Sequence, residues 1–218
     1  MLGGVLGAAL LWYAVPDVLR RLEFFRVRRV EISGLQYLAP ATIIASMGLS
    51  DRASVFDDLM AAGEGVRSLP GVRSAVVRRR LPGTIEVVVE EAVPVALAPR
   101  GSGMALLDSS GSVLPFDPAA TAPDLPIAAT TDRVLARALA RVQAHHPGLF
   151  GRIEAARRVQ GDVVLEVEGR RLWFSPELSA EDIRAVTAVA EDLARLGRNY
   201  GELDGRFAGQ VVVRRSGA

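Results

Sequence analysis

Apolar and polar positions alternate most cleanly between Leu69 and Ala96, and this stretch predicts the centre of a small α+β domain. Ile85, Val87 and Val89 alternate with Thr84, Glu86 and Glu90, the period of two expected of a strand with one buried face. Val72 to Val77 is rich in β-formers but alternates less regularly. Between the two, Leu81-Pro82-Gly83 supplies a tight turn, because proline presets φ and glycine tolerates positive φ.

Helical periodicity precedes the hairpin. Pro40 suits the first turn of a short helix with Ile43, Ile44 and Met47 on one face and Gly48 as its C-cap. A second helix is expected to open at Ser54, with Asp57 three residues on, and to carry Phe56, Leu59, Met60 and Val66 until Gly63 and Gly65 fray its end. Phe25 to Ile32 predicts a strand with a bulge at Arg28-Arg29, closed by Gly34. Residues 25–91 thus predict a β-α-α-β-β order.

Past Pro94 the texture changes. Met104 to Asp108 and Ser112 to Leu114 predict a hairpin around Ser109-Ser110-Gly111, and Phe116 to Pro126 a proline-rich loop. Asp132 caps a helix whose Val134, Leu135, Ala138, Leu139 and Val142 share a face. Strands are expected at Ile153–Val159, Val163–Val167 and Arg171–Phe174. Ser179 and Asp182 then cap a longer helix bearing Ile183, Val186, Ala190, Leu193 and Leu196, which Gly197 stops. Gly209 to Arg214 reads as a terminal strand, and terminal strands often lie at sheet edges.

Met1 to Val15 contains no charged side chain. Extended by Val18, Leu19 and Leu22, it predicts a membrane anchor over residues 1–22, against the usual requirement of about 20 apolar residues, with a buried soluble helix as the alternative. Five arginines between Arg20 and Arg29 follow it, and the positive-inside rule alone would place that side in the cytoplasm. A basic segment upstream would remove the conflict.

Composition mainly excludes. All 26 basic residues are arginine, which leaves no amine for Schiff-base, Ser-Lys or P-loop chemistry. With no cysteine there is no disulfide, thiol nucleophile or thiolate metal ligand. A net charge of +1 argues for no nucleic-acid partner. His145 and His146 are adjacent helix positions about 100° apart, poorly placed to share a metal. Glu90 and Glu91 face opposite sides of a strand and make no acid/base pair. Gly101-Ser102-Gly103 is a turn. Arg73 and Arg78-Arg79-Arg80 split between strand faces without an aromatic platform, and fit a solvated edge or a surface near anionic headgroups. No catalytic residue, cofactor, metal or small-molecule substrate is predicted.

Four colinear segments resemble the FtsQ/DivIB cell-division family. Phe25-Arg26-Val27-Arg28-Arg29-Val30-Glu31-Ile32-Ser33-Gly34 is similar to the family's entry into its POTRA domain. The hairpin, from Leu69-Pro70-Gly71-Val72 through Glu91-Ala92-Val93-Pro94, follows the family's pattern. Leu107-Asp108-Ser109-Ser110-Gly111 and Leu125-Pro126 resemble the start of its β domain, and Leu203-Asp204-Gly205-Arg206-Phe207 the segment before the last strand. Two positions depart. Ala92 stands where the family usually has arginine, with loss of an ion pair expected; Gly205 stands where it has leucine, with a looser strand entry expected.

The resemblance implies a single-pass division scaffold of α+β class: an anchor at 1–22, a POTRA domain at 24–93 and a mainly antiparallel β domain with two helices at 94–215. It implies no enzyme, a bulk outside the cytoplasmic membrane at the septum, and FtsB-like and FtsL-like partners. The FtsB-like contact by strand addition maps to Phe207, Ala208, Gly209, Gln210, Val211 and Val212, with Arg157 or Arg158 in support. A membrane-proximal docking surface maps to the POTRA part. Two other classes compete. A POTRA module of outer-membrane assembly or secretion would bring further POTRA copies or a strand barrel, and a periplasmic enzyme would bring convergent carboxylates or a metal set.

Overall fold

The computed structural model of the chain describes residues 22–121, 124–207 and 209–215. All of the expected membrane anchor except Leu22 lies outside them. Among the described residues no helix is long and apolar enough to cross a membrane. The chain divides into two compact units at Ala92/Val93.

The first unit is built from β1 (Arg29–Ser33), α1 (Pro40–Ser46), α2 (Leu59–Arg67), β2 (Val72–Arg80) and β3 (Thr84–Glu91). Its three-stranded sheet has the order β1-β3-β2, with β1 parallel and β2 antiparallel to the central β3. Ile85, Val87 and Val89 face the helices and are buried with Ile43, Met47, Val55 and Val66. The opposite face is open, and Val76 and Val88 pair there across the strands, both exposed.

Tertiary contacts shift several expected elements of this unit. Strand β1 begins at Arg29 rather than Phe25, because residues 23–25 form a 3₁₀ turn and Arg26 bridges to Ser54. Ile44 is exposed while Ile43 and Met47 are buried, since a seven-residue helix presents only a narrow stripe. The Ser54 amide does bond the Asp57 carboxylate, at 2.8 Å, but this closes a turn and not a helix. The helix starts five residues later, at Leu59, where the Asp58 carboxylate accepts from the amides of Met60 and Ala61.

Nor do the glycines fray α2. A Cβ on Gly65 would lie 2.0 Å from the Ser46 carbonyl oxygen, so glycine here lets α2 close onto the end of α1. Glu91 is equally tertiary. It is 7 % exposed, and its carboxylate accepts from the backbone amides of Gln36, Tyr37 and Leu38 at 2.7–3.0 Å, tying the loop before α1 to the end of β3.

The second unit is an eight-stranded sheet with two long helices on one face; the described residues add two four-residue helices that the sequence did not predict, Pro118–Thr121 inside the expected loop and Pro147–Phe150 after the first long helix. Its elements are β4 (Pro94–Arg100), β5 (Gly103–Asp108), β6 (Ile127–Ala128), α3 (Arg133–His145), β7 (Ile153–Val159), β8 (Asp162–Val167), β9 (Arg170–Phe174), α4 (Ala180–Arg195), β10 (Glu202–Phe207) and β11 (Gln210–Arg214). The strand order is β11-β10-β9-β8-β7-β6-β4-β5. Four pairings are antiparallel and three, β4–β6, β6–β7 and β9–β10, are parallel.

Leu135, Leu139 and Val142 of α3 and Ile183 and Val186 of α4 are buried with Leu165, Leu172, Phe174 and Leu203 of the sheet. Asp132 caps α3, and Ser179 with Asp182 forms a reciprocal capping box on α4. Leu196, expected on the apolar stripe, is exposed because α4 has ended at Arg195. Residues 112–114 return along β5 as expected, though as an isolated bridge rather than a strand. Gly205 does lie in an irregularity of β10, because the register with β11 shifts between Asp204 and Phe207. A Cβ there would lie 2.4 Å from Val186 Cγ2, so glycine lets α4 pack down on the strand.

Candidate functional site

An eight-stranded open sheet has two edges, and here they differ. On the β5 side the chain turns back on itself. The Asp108 amide donates to the Ser112 carbonyl at 3.0 Å and the Leu114 amide to the Leu106 carbonyl at 2.8 Å, so the second half of that edge is already paired. On the other side β11 pairs with β10 alone, and no further strand among the described residues covers its outer rim. Val212 and Val213 are 40 % and 41 % exposed on this rim. An exposed edge carrying apolar, β-branched residues is a template for another strand.

The sequence predicts a terminal strand at Gly209 to Arg214, and the resemblance maps the strand-addition site to Phe207 to Val212. In the structure Phe207 closes β10, half exposed, and Gly209 sits in the turn with φ of +72°, while Gln210, Val211 and Val212 lie on β11. Ala208 lies outside the described residues. Positive φ explains the change, because the β10–β11 reversal needs a residue without a Cβ penalty.

Arg157 and Arg158 lie on β7, separated from β11 by β8, β9 and β10. Successive strand residues face opposite ways. Arg158 is on the helix-covered face, where it bonds Asp132, the cap of α3, at 3.3 Å and the Gly161 carbonyl at 2.9 Å. Arg157 is on the other face, bonded to Glu166 at 3.1 Å. Register puts Arg157, Val164, Trp173, Asp204 and Val212 in one row across five strands, so of the two arginines only Arg157 shares a face with Val212.

That face holds an ionic lattice which sequence reading did not identify. Glu166, Arg171, Glu202 and Arg214 face one another in register across β8, β9, β10 and β11, with alternating sign. Arg171 pairs with Glu202, and Arg214 reaches Glu202 at 3.6 Å and Asp204 at 3.3 Å. Trp173 donates its indole N–H to Glu202 at 3.1 Å. At the centre Asp204 is fully buried. Arg206 holds it in a fork, Nε to Oδ1 at 2.8 Å and Nη2 to Oδ2 at 2.5 Å, and reaches Asp162 at 2.6 Å.

The Arg206 guanidinium also lies 5.0 Å from the Trp173 ring centre and 5.9 Å from that of Phe207. Its hydrogen bonds hold the Asp204 carboxyl below the ordinary carboxylate range despite burial, and the same bonds push the Arg206 guanidinium up. The signal in the sequence is the alternation of Glu202, Asp204 and Arg206 with Leu203, Gly205 and Phe207.

What this arrangement does chemically is fix β11 against β10 while leaving main-chain groups on the outer rim. Among the described residues no three His, Asp or Glu side chains converge on a point that would hold a metal ion. A cleft of the second unit with an apolar floor and a charged rim, about 360 Å³ beside α4 and Tyr200, gathers Arg152, Arg170 and Arg198 with Glu168 and Glu191, without a histidine or a poised nucleophile.

Residues 25–92 match the family model described as "POTRA domain, FtsQ-type". Among curated relatives, the cell division protein FtsQ of Caulobacter vibrioides is 33 % identical over 138 residues, covering 62 % of this chain and 45 % of that protein. Residues 25–92 are an FtsQ-type POTRA domain, and these matches support the FtsQ/DivIB family for the chain. The FtsQ of Corynebacterium glutamicum is 28 % identical over 109 residues, 49 % of each chain, and that of Neisseria meningitidis serogroup B is 40 % identical over 70 residues, 32 % of this chain and 28 % of that one. The chain spans about half the length of the first two FtsQ relatives. The major extracytoplasmic domain of the cell division protein DivIB of Geobacillus stearothermophilus covers 49 % of this chain and 97 % of its own, with 16 % identity and a TM-score of 0.32. The family assignment rests on the sequence matches.

Proposed function

We propose that this chain is a member of the FtsQ/DivIB family and a non-enzymatic scaffold of the bacterial division machinery. Residues 1–22 anchor it in the cytoplasmic membrane, its two units stand outside at the septum, and β11 accepts a strand from an FtsB-like partner in complex with an FtsL-like one. The observation that carries the reading is the asymmetry of the eight-stranded sheet. One edge is half covered by its own return segment, whereas the other presents exposed valines and a rim that no further strand among the described residues pairs with. Main-chain hydrogen bonds would supply affinity along that rim, and alternate side chains selectivity. The lattice behind it holds the edge in its paired shape before the partner arrives, which lowers the ordering cost of binding.

The test uses a pair of variants, Val211→Pro and Val212→Pro. Neighbouring strand residues point their amides to opposite sides, so one proline removes a bond to β10 and the other removes only an outward donor. The expected result is that one variant melts within a few degrees of the parent yet no longer co-purifies with the FtsB-like partner from native membranes. If the variant that keeps its fold also keeps the partner, the edge is not the contact.

A further inference from the structure

One end of the first unit differs in character from the rest of it. Where the β2–β3 turn and the start of β1 meet, Arg80, Thr84 and Arg29 form the last row of the open sheet face. Arg28 lies against the turn, its amide bonded to the Gly83 carbonyl at 2.8 Å and its guanidinium to the Phe24 carbonyl at 3.2 Å. Arg79 stacks over Phe56 from the helix side. Among these arginines project Leu22, Phe24 and Leu81, which are 46 %, 62 % and 58 % exposed. Glu23 and Glu31 partly balance the set, pairing with Arg26, Arg29 and Arg80, whereas no acidic partner of Arg28 or Arg79 is found among the described residues. At the opposite end of the same hairpin Arg73 pairs with Glu90, Arg67 bonds the Ala75 carbonyl and Glu91 is buried.

We propose that this turn end is a docking surface for an anionic lipid bilayer, with Phe24, Leu22 and Leu81 entering the headgroup boundary and the arginines meeting phosphates. Apolar side chains ringed by cations are what an interfacial site requires. Position favours the same occupant. The uncharged stretch of residues 1–15 ends seven residues before Leu22, so a bilayer holding that stretch lies within a few residues of this end and of no other part of the unit. The inference rests on reading residues 1–22 as an anchor. It adds that the first unit is seated on the membrane surface, and not merely tethered to it.

The chain has no cysteine, so single labels are clean. The full chain is reconstituted into vesicles of phosphatidylcholine, with or without phosphatidylglycerol, carrying a headgroup nitroxide. A bimane label is placed at Leu81→Cys or at Ser68→Cys, which precedes the far end of β2, about 26 Å along the strand. Quenching is expected at position 81 and not at 68, stronger with phosphatidylglycerol and weaker in high salt. In the R29Q/R80Q background the contact should weaken about fivefold per arginine, the equivalent of about 1 kcal/mol each.

A chain that resists alkaline extraction, yet shows label 81 quenched no more than label 68 or indifferent to lipid charge, overturns the surface and leaves the anchor standing. A chain stripped by alkaline wash that still floats with anionic vesicles at neutral pH, label 81 quenched, upholds the surface and overturns the anchor. A chain that floats with neither vesicle overturns both.

Discussion

Arg206 grips both carboxylate oxygens of Asp204, two residues before it on β10 and on the same face of the strand. The pair is central to the lattice behind β11, because Arg214 of that strand reaches the same carboxylate. Asp204→Asn keeps the shape and removes the charge, leaving Arg206 and Arg214 without their shared partner. We expect a loss of about 2–4 kcal/mol, less than for a fully buried pair because Arg206 keeps some solvent. Urea denaturation followed by Trp173 fluorescence measures it.

Acid should unfold the second unit partly through this carboxyl. Its folded value lies below the unfolded value of about 3.9, so the folded state binds fewer protons. The stability it contributes is therefore complete above that value and is lost as pH falls from there through the lower folded value. Denaturation midpoints taken across that window should drop more steeply in the parent than in Asp204→Asn. Parallel curves would remove Asp204 from the account.

Gly205 and Val186 should be coupled. Gly205→Ala places a methyl where Val186 Cγ2 stands and should cost about 1–3 kcal/mol. In a Val186→Ala background the same change should cost markedly less. A double-mutant cycle reads the difference, and additivity would mean that the close approach is not what selects glycine.

Two glycines of α2 separate local from tertiary effects. Gly65→Ala drives a Cβ into the Ser46 carbonyl and should destabilise the first unit despite a gain in helix propensity of about 1 kcal/mol. Gly63→Ala meets only the end of the Arg67 side chain, at 3.0 Å, and should fall within about 1 kcal/mol of neutral. Thermal melts of both variants decide it.

Glu91→Ala leaves three backbone amides without their acceptor. A cost of about 3 kcal/mol is expected, with Glu91→Gln milder because it keeps one acceptor oxygen. Hydrogen exchange at Gln36, Tyr37 and Leu38 should accelerate first; unchanged protection there would show that the carboxylate is dispensable.

What the sequence determined by itself is whatever rests on neighbours within a few residues. The β-α-α-β-β order, the Asp132 cap, the Ser179–Asp182 box, the stop at Gly197 and the buried row Ile85, Val87, Val89 were all legible, because periodicity and capping act within one or two turns of chain. The tertiary structure decided what depends on a partner distant in sequence. Ser54 reads as the cap of the second helix, yet in the structure it is drawn to Phe25 and Asp58 takes that role. Gly65 and Gly205 look like breakers until Ser46 and Val186 arrive. Strand β4 carries little alternation, since packing on both faces replaces it, whereas β10 alternates Glu202, Asp204 and Arg206 with Leu203, Gly205 and Phe207, a pattern that does not say the carboxylate will be buried. Which edge stays open was the least legible of all. An edge is defined by strands that fail to pair with it, and that follows only once every other strand has found its place.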